Sequence, residues 1–459
     1  MLLSRLSGAV EAAVAGLSEK RASLVRALVQ GAPDHALLSL NSALSGCAHD
    51  GTAMGQVQAL VAGEAADRRV RDEVFAPVAP LFGPAAAASG LQGFPASVLR
   101  RIWAGLKRLA PEQVRLAASA GQADEEQAAA LRAACDELCA RAAAELRAAE
   151  EPEFATCSET LGADGVERLC TYLDLCRIAR SALERLPEWL GRHTDERTAA
   201  ARLAYRDAGS VLEDGGPRLV EMLAAHLEEP WQALRLVSVV MNRPPDAFAA
   251  GSELRLFGER LLDETDRRLA AVIGFQPAKG AEAGAAAARE VQAAAVCLAE
   301  MEAAFELSPS GPWGSRVGQQ KRTLAGLVEP RIKLTEEAVA RALPLQTGRL
   351  GRDVRGHPRL DQAAEPAALA KAQALAAFTA GVRTAAAAGG FTALRAAVTE
   401  RLEARLHQYV EDLLEVLHGA AAEADKASAR ALLDVAADLL EILIDGKAAK
   451  VARRRAAAA

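Results

Sequence analysis

Residues 391–419 read FTALRAAVTERLEARLHQYVEDLLEVLHG, and this stretch decides the fold class. Its large apolar side chains recur every three or four positions, the spacing that places them on one face of an α-helix. The run ends at Gly419, a residue type that commonly terminates helices. The stretch therefore predicts one long amphipathic helix. Its apolar positions are Phe391, Leu394, Val398, Leu402, Leu406, Tyr409, Leu413 and Leu417.

The same spacing recurs along most of the 459 residues. Much of the 51% hydrophobic content is alanine, which has the highest helix propensity of all residues. Aromatic residues, which favour β-sheets, make up only 4% of the chain. No fixed-period repeat is present. We therefore predict an all-α protein, built as an elongated multi-helix bundle or as an irregular α-solenoid of stacked helical hairpins.

The length of the chain predicts more than one domain, because a single hydrophobic core stops growing at about 250–300 residues. Glycine and proline concentrate in residues 348–366, where the apolar periodicity is weak, and we interpret this stretch as a linker. We expect an N-terminal helical region at 1–122 and a central helical domain at 123–347. The remainder, 367–459, is expected to be a helical hairpin region with a basic tail.

The N-terminal stretch, residues 2–30, has the pattern of an amphipathic helix. Its polar face carries charges of both signs, without the basic excess typical of a helix bound to a membrane surface. We therefore expect it to pack on the body of the protein or on a partner helix. No run of about 18 apolar residues predicts a membrane span. The apolar positions are Leu3, Leu6, Val10, Val14 and Leu17.

Overall charge and cysteine content indicate which partners and which cellular compartment to expect. A formal net charge of −6 over this length implies no strongly charged partner, and it disfavours a broad nucleic-acid interface. Seven cysteines at irregular spacings do not form a disulfide framework. The N-terminus does not show a clean secretory cleavage pattern. We therefore expect reduced thiols and a cytoplasmic location.

Four of the cysteines are the first candidates for a metal site. Cys135 and Cys139 share one face of a predicted helix, and Cys170 and Cys176 lie on the next long helix. Two packed helices could bring four sulfurs together for zinc or an iron–sulfur cluster. The two-residue spacing typical of zinc ligands is missing, and cysteine is also a frequent core residue. Whether these four residues bind metal is left open, and no metal ligand is assigned.

Acidic and histidine side chains offer two further metal patterns. Asp263, Glu264 and Asp266 form an acidic run of the kind that binds magnesium on a helix, next to two arginines that would pair with it. Glu415 and His418 have the Glu-x-x-His spacing of di-metal helical bundles. Such a bundle needs a second motif, which is missing. We interpret both groups as charged helix faces.

A basic cluster at 316–333 offers a nucleic-acid alternative. Cations beside an aromatic ring could hold phosphates while the ring stacks on a base. The cluster contains Arg316, Lys321, Arg322, Arg331 and Lys333, close to Trp313. A similar grouping around Trp103 contains Arg100, Arg101, Lys107 and Arg108.

No local motif for catalysis is present: the chain lacks a phosphate loop, a Gly-x-Ser-x-Gly elbow and a His-Glu-x-x-His helix. No catalytic residue and no cofactor are assigned. We predict a non-enzymatic cytoplasmic scaffold or adaptor that binds another protein or a second copy of this chain. The alternatives are a nucleic-acid-associated protein using 316–333 and an all-α metal-dependent enzyme. The predicted association surface is Leu402, Leu406, Tyr409, Leu413 and Leu417, for which the competing interpretation is an internal core.

Overall fold

The computed structural model describes residues 19–45, 53–83, 91–118, 125–191, 194–229, 231–350, 353–419 and 422–458. Over these residues the chain is helical apart from turns, connecting segments and one two-stranded antiparallel hairpin, so the all-α prediction is confirmed. The chain divides into two compact units, Met1–Glu228 and Glu229–Ala459. The boundary between them lies inside the region 123–347. The domain limits expected from the sequence stay predictions.

Unit 1 consists of helices that pack against their neighbours in sequence. Local signals set several of their ends. For example, α5 starts at Pro111, where a first helical turn tolerates proline, and α9 starts after Thr194, whose hydroxyl accepts a hydrogen bond from the Arg197 amide at 3.4 Å. The helices are α1 (Glu19–Gly31), α2 (Asp34–Leu44), α3 (Ala53–Val74), α4 (Ala96–Leu109), α5 (Pro111–Ala118), α6 (Glu125–Ala148), α7 (Pro152–Asp174), α8 (Cys176–Leu190), α9 (Asp195–Val211) and α10 (Gly215–Ala225).

The first three helices share a small core of their own. Aliphatic side chains from each helix meet there, and Val25 and Leu40 pack against its margin. The guanidinium of Arg68 on α3 closes the end of α1 by donating to the Val29 and Gln30 carbonyls. Because these carbonyls lie next to the turn between α1 and α2, the hydrogen bonds of Arg68 hold the three helices together. Residues 1–18, which include the first part of the predicted N-terminal helix, lie outside the described residues. The buried members of this core are Val29, Leu37, Leu44, Val57, Val61 and Ala65.

Unit 2 begins at Glu229 and contains the longest helices of the chain. The 391–419 stretch forms α18, as its apolar spacing predicts, and pairs with α19 in a helical hairpin. The helices are α11 (Gln232–Met241), α12 (Asp246–Ala250), α13 (Arg255–Ile273), α14 (Ala281–Ala304), α15 (Gly314–Ala342), α16 (Pro366–Gly381), α17 (Ala386–Gly389), α18 (Thr392–His418), α19 (Glu423–Leu443) and α20 (Gly446–Ala457).

Part of the stretch interpreted as a linker is a β-hairpin. Strand β1 (Leu345–Leu350) pairs antiparallel with β2 (Asp353–Pro358), so Leu345 lies opposite Pro358 and Leu350 opposite Asp353. Paired strands satisfy each other's backbone groups and need no long apolar run, which is why apolar periodicity did not reveal them. The base of the hairpin is held by Pro344, whose carbonyl accepts from the Arg359 amide at 3.0 Å and from the Tyr409 hydroxyl at 3.3 Å.

The basic tail is folded rather than extended. Asp445 caps α20 by accepting from the Lys447 and Ala448 amides, both at 2.9 Å. Arg453 then pairs with Asp438 and Glu441 on α19. The tail is therefore packed on the C-terminal helical hairpin through opposite charges.

Candidate functional site

An exposed phenylalanine lies on α12, a helix of only five residues. Phe248 is 65% exposed, and Leu256 on the first turn of α13 is 38% exposed. Large apolar side chains are usually buried, so an uncovered phenylalanine on α12 and an uncovered leucine on α13, a helix that contacts α12, mark a candidate contact surface. We call Phe248, Leu256 and the cavity that Leu256 helps to line the Phe248 surface.

The helix that carries Phe248 is firmly anchored. Asp246 at its start is buried, and its carboxylate accepts a hydrogen bond from the Gly314 amide at the start of α15 at 3.0 Å. The Asp246 amide donates to the Glu306 carbonyl at 3.1 Å, and Ala249 faces the core. With these two positions directed inward, Phe248 is directed outward by the geometry of the helix rather than by fraying of its end.

The cavity of the Phe248 surface has a volume of about 510 Å³ and is open to solvent. Two of its polar groups have partners inside the fold: the Ser252 hydroxyl donates to the Ala249 carbonyl at 2.8 Å, and Glu259 accepts from the Trp313 indole at 3.0 Å. A nucleophile paired with a general base is not among the lining residues. The lining residues are Ala250, Gly251, Ser252, Glu253, Arg255, Leu256 and Glu259.

The stripe predicted as an association surface lies in the core of unit 2. All five side chains are at most 3% exposed, and α18 presents them towards α19 and the neighbouring helices of the unit. Their burial agrees with the competing interpretation, in which these five residues form an internal core. A helix in a bundle buries its widest apolar face against its own neighbours, so the stripe has no free surface to offer a partner. The residues are Leu402, Leu406, Tyr409, Leu413 and Leu417.

The acidic run on α13 is neutralised by arginines. Arg316 on α15 lies 2.6 Å from Asp263 and 2.5 Å from Asp266. Glu264 points to the other side of the helix and pairs with Arg267 and Arg268. The Arg267 hydrogen bond, with the charges of both arginines, lowers the pKa of Glu264 against the opposing effect of burial. The three carboxylates are thus split between two ion-pair groups and do not converge.

The basic cluster 316–333 lacks the stacking ring that its interpretation requires. Trp313 is only 1% exposed, enclosed by an edge-on contact with Phe305 at 4.8 Å. Lys321 pairs with Glu302 at 2.7 Å, and Arg331 donates to backbone carbonyls within its own unit. Most of the cluster is therefore engaged in holding helices together.

The basic grouping around Trp103 also has a buried ring and paired cations. Trp103 is 4% exposed and packs edge-on against Phe75. Lys107 pairs with Asp67 at 2.7 Å, and Arg108 pairs with Glu151 at 3.3 Å. Neither grouping presents an aromatic face together with free cations.

The candidate metal-binding cysteines are all buried, and three of their sulfurs lie near backbone oxygens. The sulfur of Cys139 lies 3.3 Å from the Val74 carbonyl, and that of Cys170 lies 3.5 Å from the Ala143 carbonyl. Burial raises the pKa of the Cys135 and Cys170 thiols to about 11, so both are neutral at physiological pH. Cys176 contacts Cys139, and burial together with this contact raises its pKa as well. The six described cysteines, which exclude Cys47, are free thiols.

The histidine of the Glu-x-x-His motif contacts its own helix. The His418 ring lies 2.7 Å from the Leu414 carbonyl of its own helix, while His407 lies 4.0 Å from Glu403 on the exposed side of α18. Among the residues that the structure describes, no three His, Cys, Asp or Glu side chains are arranged to hold a metal ion. In the same part of the chain, no helix combines the length and apolarity needed to cross a lipid bilayer.

Comparison with known proteins identifies no relative: no family model, curated protein or solved structure matches this chain. The site must therefore be argued from its own geometry. The apolar periodicity used for the sequence predictions did not find Phe248, since a five-residue helix is too short to display a stripe. The available signal was an aromatic residue between Pro244-Pro245 and Gly251, a short punctuated segment in which a core phenylalanine is unexpected.

Proposed function

We propose that this chain is a non-enzymatic helical scaffold or adaptor that binds another protein through the Phe248 surface. The observation that carries the proposal is a 65% exposed phenylalanine on an anchored helix, together with a cavity of about 510 Å³ that is lined by residues following it in the chain. Aromatic side chains are the commonest anchors of protein interfaces, because they bury a large apolar area at a small cost in conformational entropy.

The chemistry of the surface supports a protein partner rather than a nucleic acid. Phe248 and Leu256 supply exposed apolar area, and the cavity lining carries Glu253 and Arg255, charges of both signs. Apolar side chains together with polar groups of both signs are usual at protein interfaces. A nucleic acid would instead need several unpaired cations for its phosphates. The partner expected is an amphipathic segment of another protein.

The free, buried thiols support the cytoplasmic location that belongs to this proposal, because thiols persist in reducing compartments. No specific observation favours the nucleic-acid alternative or the metal-dependent enzyme, since Arg316 and Lys321 of the basic cluster and both aspartates of the acidic run are engaged in ion pairs within the fold.

The test is affinity capture from the source cells with wild type, a Phe248→Ser/Leu256→Ser variant and an Ile273→Ser control. Ile273 is 61% exposed and also lies in unit 2, so it matches Phe248 in exposure. Loss of an interface anchor costs about 2 kcal/mol or more, so we expect a specific partner to bind at least about 30-fold more weakly to the double variant only. A partner set that is unchanged in the double variant contradicts the proposal. Light scattering of the purified proteins distinguishes a second copy of the chain from a different protein.

A further inference from the structure

The β-hairpin of unit 2 has two outer edges. Within the described part of the chain, strands β1 and β2 pair with each other and with no third strand. In such a ladder, about half of the backbone N–H and C=O groups of each strand point away from the other strand. These outward groups are the ones that a further strand would meet.

The register fixes which residues of β1 carry the outward groups. The Arg359 amide donates to the Pro344 carbonyl at 3.0 Å, so these two residues form a hydrogen-bonded pair one step before the first pair of the register. Hydrogen-bonded and non-hydrogen-bonded pairs alternate along an antiparallel ladder. The outward N–H and C=O groups of β1 therefore belong to Leu345, Thr347 and Arg349.

The outer edge of β2 is partly blocked, whereas that of β1 is accessible at its start. By the same alternation, β2 directs the backbone groups of Val354, Gly356 and Pro358 outward, and proline has no N–H to donate. Pro358 is also buried, and α18 contacts β2. At the start of β1, Leu345 is 39% exposed. Proline is a usual protection of a strand edge, and none of the outward positions of β1 carries it.

We propose that β1 pairs antiparallel with β1 of a second copy of this chain and joins the two hairpins into a four-stranded sheet. The outward residues are centred on Thr347. A two-fold axis at this residue places Thr347 opposite the second copy's Thr347, and Leu345 opposite the second copy's Arg349. In that arrangement every outward N–H of one edge meets a C=O of the other.

The hydrogen-bonding pattern of the edge specifies an extended backbone as its occupant. Alternating N–H and C=O groups are complementary to a strand, whereas a helix has already paired its own backbone groups. A second copy fits better than a strand of another protein, because pairing of identical edges completes both hairpins at once and gives a closed two-fold dimer. A two-stranded hairpin alone is marginally stable in water, and additional strands stabilise it. This inference does not depend on the Phe248 surface.

The first test measures the oligomeric state of the purified full-length chain by light scattering over a range of concentrations. Thr347→Pro removes the outward N–H at the two-fold axis and leaves the hydrogen-bonded pairs of the hairpin in place. Gly356→Pro is the matched control, because Gly356 lies opposite Thr347 and directs its N–H to the other edge. We expect a wild-type dimer, a dissociation constant at least about 10-fold higher in Thr347→Pro and an unchanged one in Gly356→Pro.

The Phe248→Ser/Leu256→Ser variant is expected to remain dimeric, which separates this dimer from association through the Phe248 surface. A monomeric wild type, or a dimer that Thr347→Pro leaves intact, would overturn the proposal. Protection of residues 345–349 from hydrogen exchange only after a different protein binds would assign the edge to a foreign strand and would overturn it as well.

The second test traps the paired strands with a disulfide and does not rely on proline. Both variants are made in a Cys47→Ser background, since the other six cysteines are buried, and oxidised glutathione serves as the oxidant. In the proposed pairing the two Thr347→Cys sites lie about 5.5 Å apart between Cα atoms, within the range of a disulfide. The control sites, Gly356→Cys, lie about 14 Å apart, because three strand spacings separate them. We expect covalent dimer at least about fivefold more abundant in Thr347→Cys, and equal yields would contradict the two-fold register.

Discussion

The guanidinium of Arg68 lies 2.6 Å from the carboxylate of Asp34 while also donating to the carbonyls at the end of α1. Arg68 is only 8% exposed, so one buried side chain on α3 closes the turn between α1 and α2. Asp34 is the first residue of α2, where a negative charge also favours the helix dipole. The N-terminal helices are therefore held together by a polar contact as well as by their small apolar core.

Replacing Arg68 with leucine should weaken the N-terminal helices strongly. The change removes the Arg68 donor from the Val29 and Gln30 carbonyls and leaves Asp34 with only its longer contact to Arg71, which costs about 3 kcal/mol in the free energy of unfolding. Hydrogen exchange of α1 and α2 measures the loss. Arg69→Leu changes the exposed neighbour and serves as control. Equal protection of α1 in the two variants would show that the Arg68 contacts are energetically unimportant.

Unit 1 should lose stability on mild acidification through His226. Its ring lies 3.2 Å from the Pro77 carbonyl, and burial lowers its pKa below 6.5 more than this contact raises it. The unfolded chain therefore binds the proton more readily than the folded chain. The stabilising contribution is complete above pH 6.5 and is lost as the pH falls through the lower folded-state pKa. Urea denaturation of wild type and His226→Gln at two pH values isolates this effect: the variant should show the smaller decrease.

Two glycines in unit 2 should respond to alanine in opposite directions. A methyl group on Gly284 of α14 would lie 1.9 Å from the Ala374 carbonyl oxygen of α16, so Gly284→Ala must separate the helices and should cost about 3 kcal/mol. Gly326 in α15 has open space around it, and Gly326→Ala should stabilise the helix by about 0.5–1 kcal/mol. Chemical denaturation measures both. A stabilising Gly284→Ala variant would disprove the close approach of α14 and α16.

The buried cysteines should react slowly with iodoacetamide in the folded protein. Burial raises the pKa of Cys157 and Cys297, as of Cys135 and Cys170, to about 11, and the thiolate is the reactive form. Alkylation followed by mass spectrometry should show rapid modification only after denaturation. Elemental analysis of the same dialysed protein checks the metal alternative. Stoichiometric zinc or iron, together with metal-dependent protection of these thiols, would favour that alternative.

Helix content was predictable because the period of a helix is a local property. The spacing from Phe391 to Leu417 is sufficient to form α18, and Pro111 marks the start of α5 without any distant contact. The β-hairpin at Leu345–Leu350 and Asp353–Pro358 was not predicted from apolar spacing. Its pairing depends on backbone hydrogen bonds between strands, which leave little trace in apolar spacing.

The candidate sites were harder to predict because their partners are distant in sequence. Asp263 and Asp266 resemble a cation site until Arg316, 53 and 50 residues away, is brought against them. Nothing near the acidic run in the sequence indicates that contact. Charge pairing across helices is decided by packing, which converts an apparent binding motif into a structural ion pair.

By itself the sequence determined that this protein is a set of amphipathic helices, since three-to-four spacing and alanine-rich composition act within each segment. Only the tertiary structure decided which apolar faces are covered. It buries Leu406 and Leu413 between helices and leaves Leu24, Leu28 and Phe248 exposed. The reason is physical: a helix forms from neighbours three and four residues away, whereas the burial of its face depends on helices that are remote in sequence and close in space.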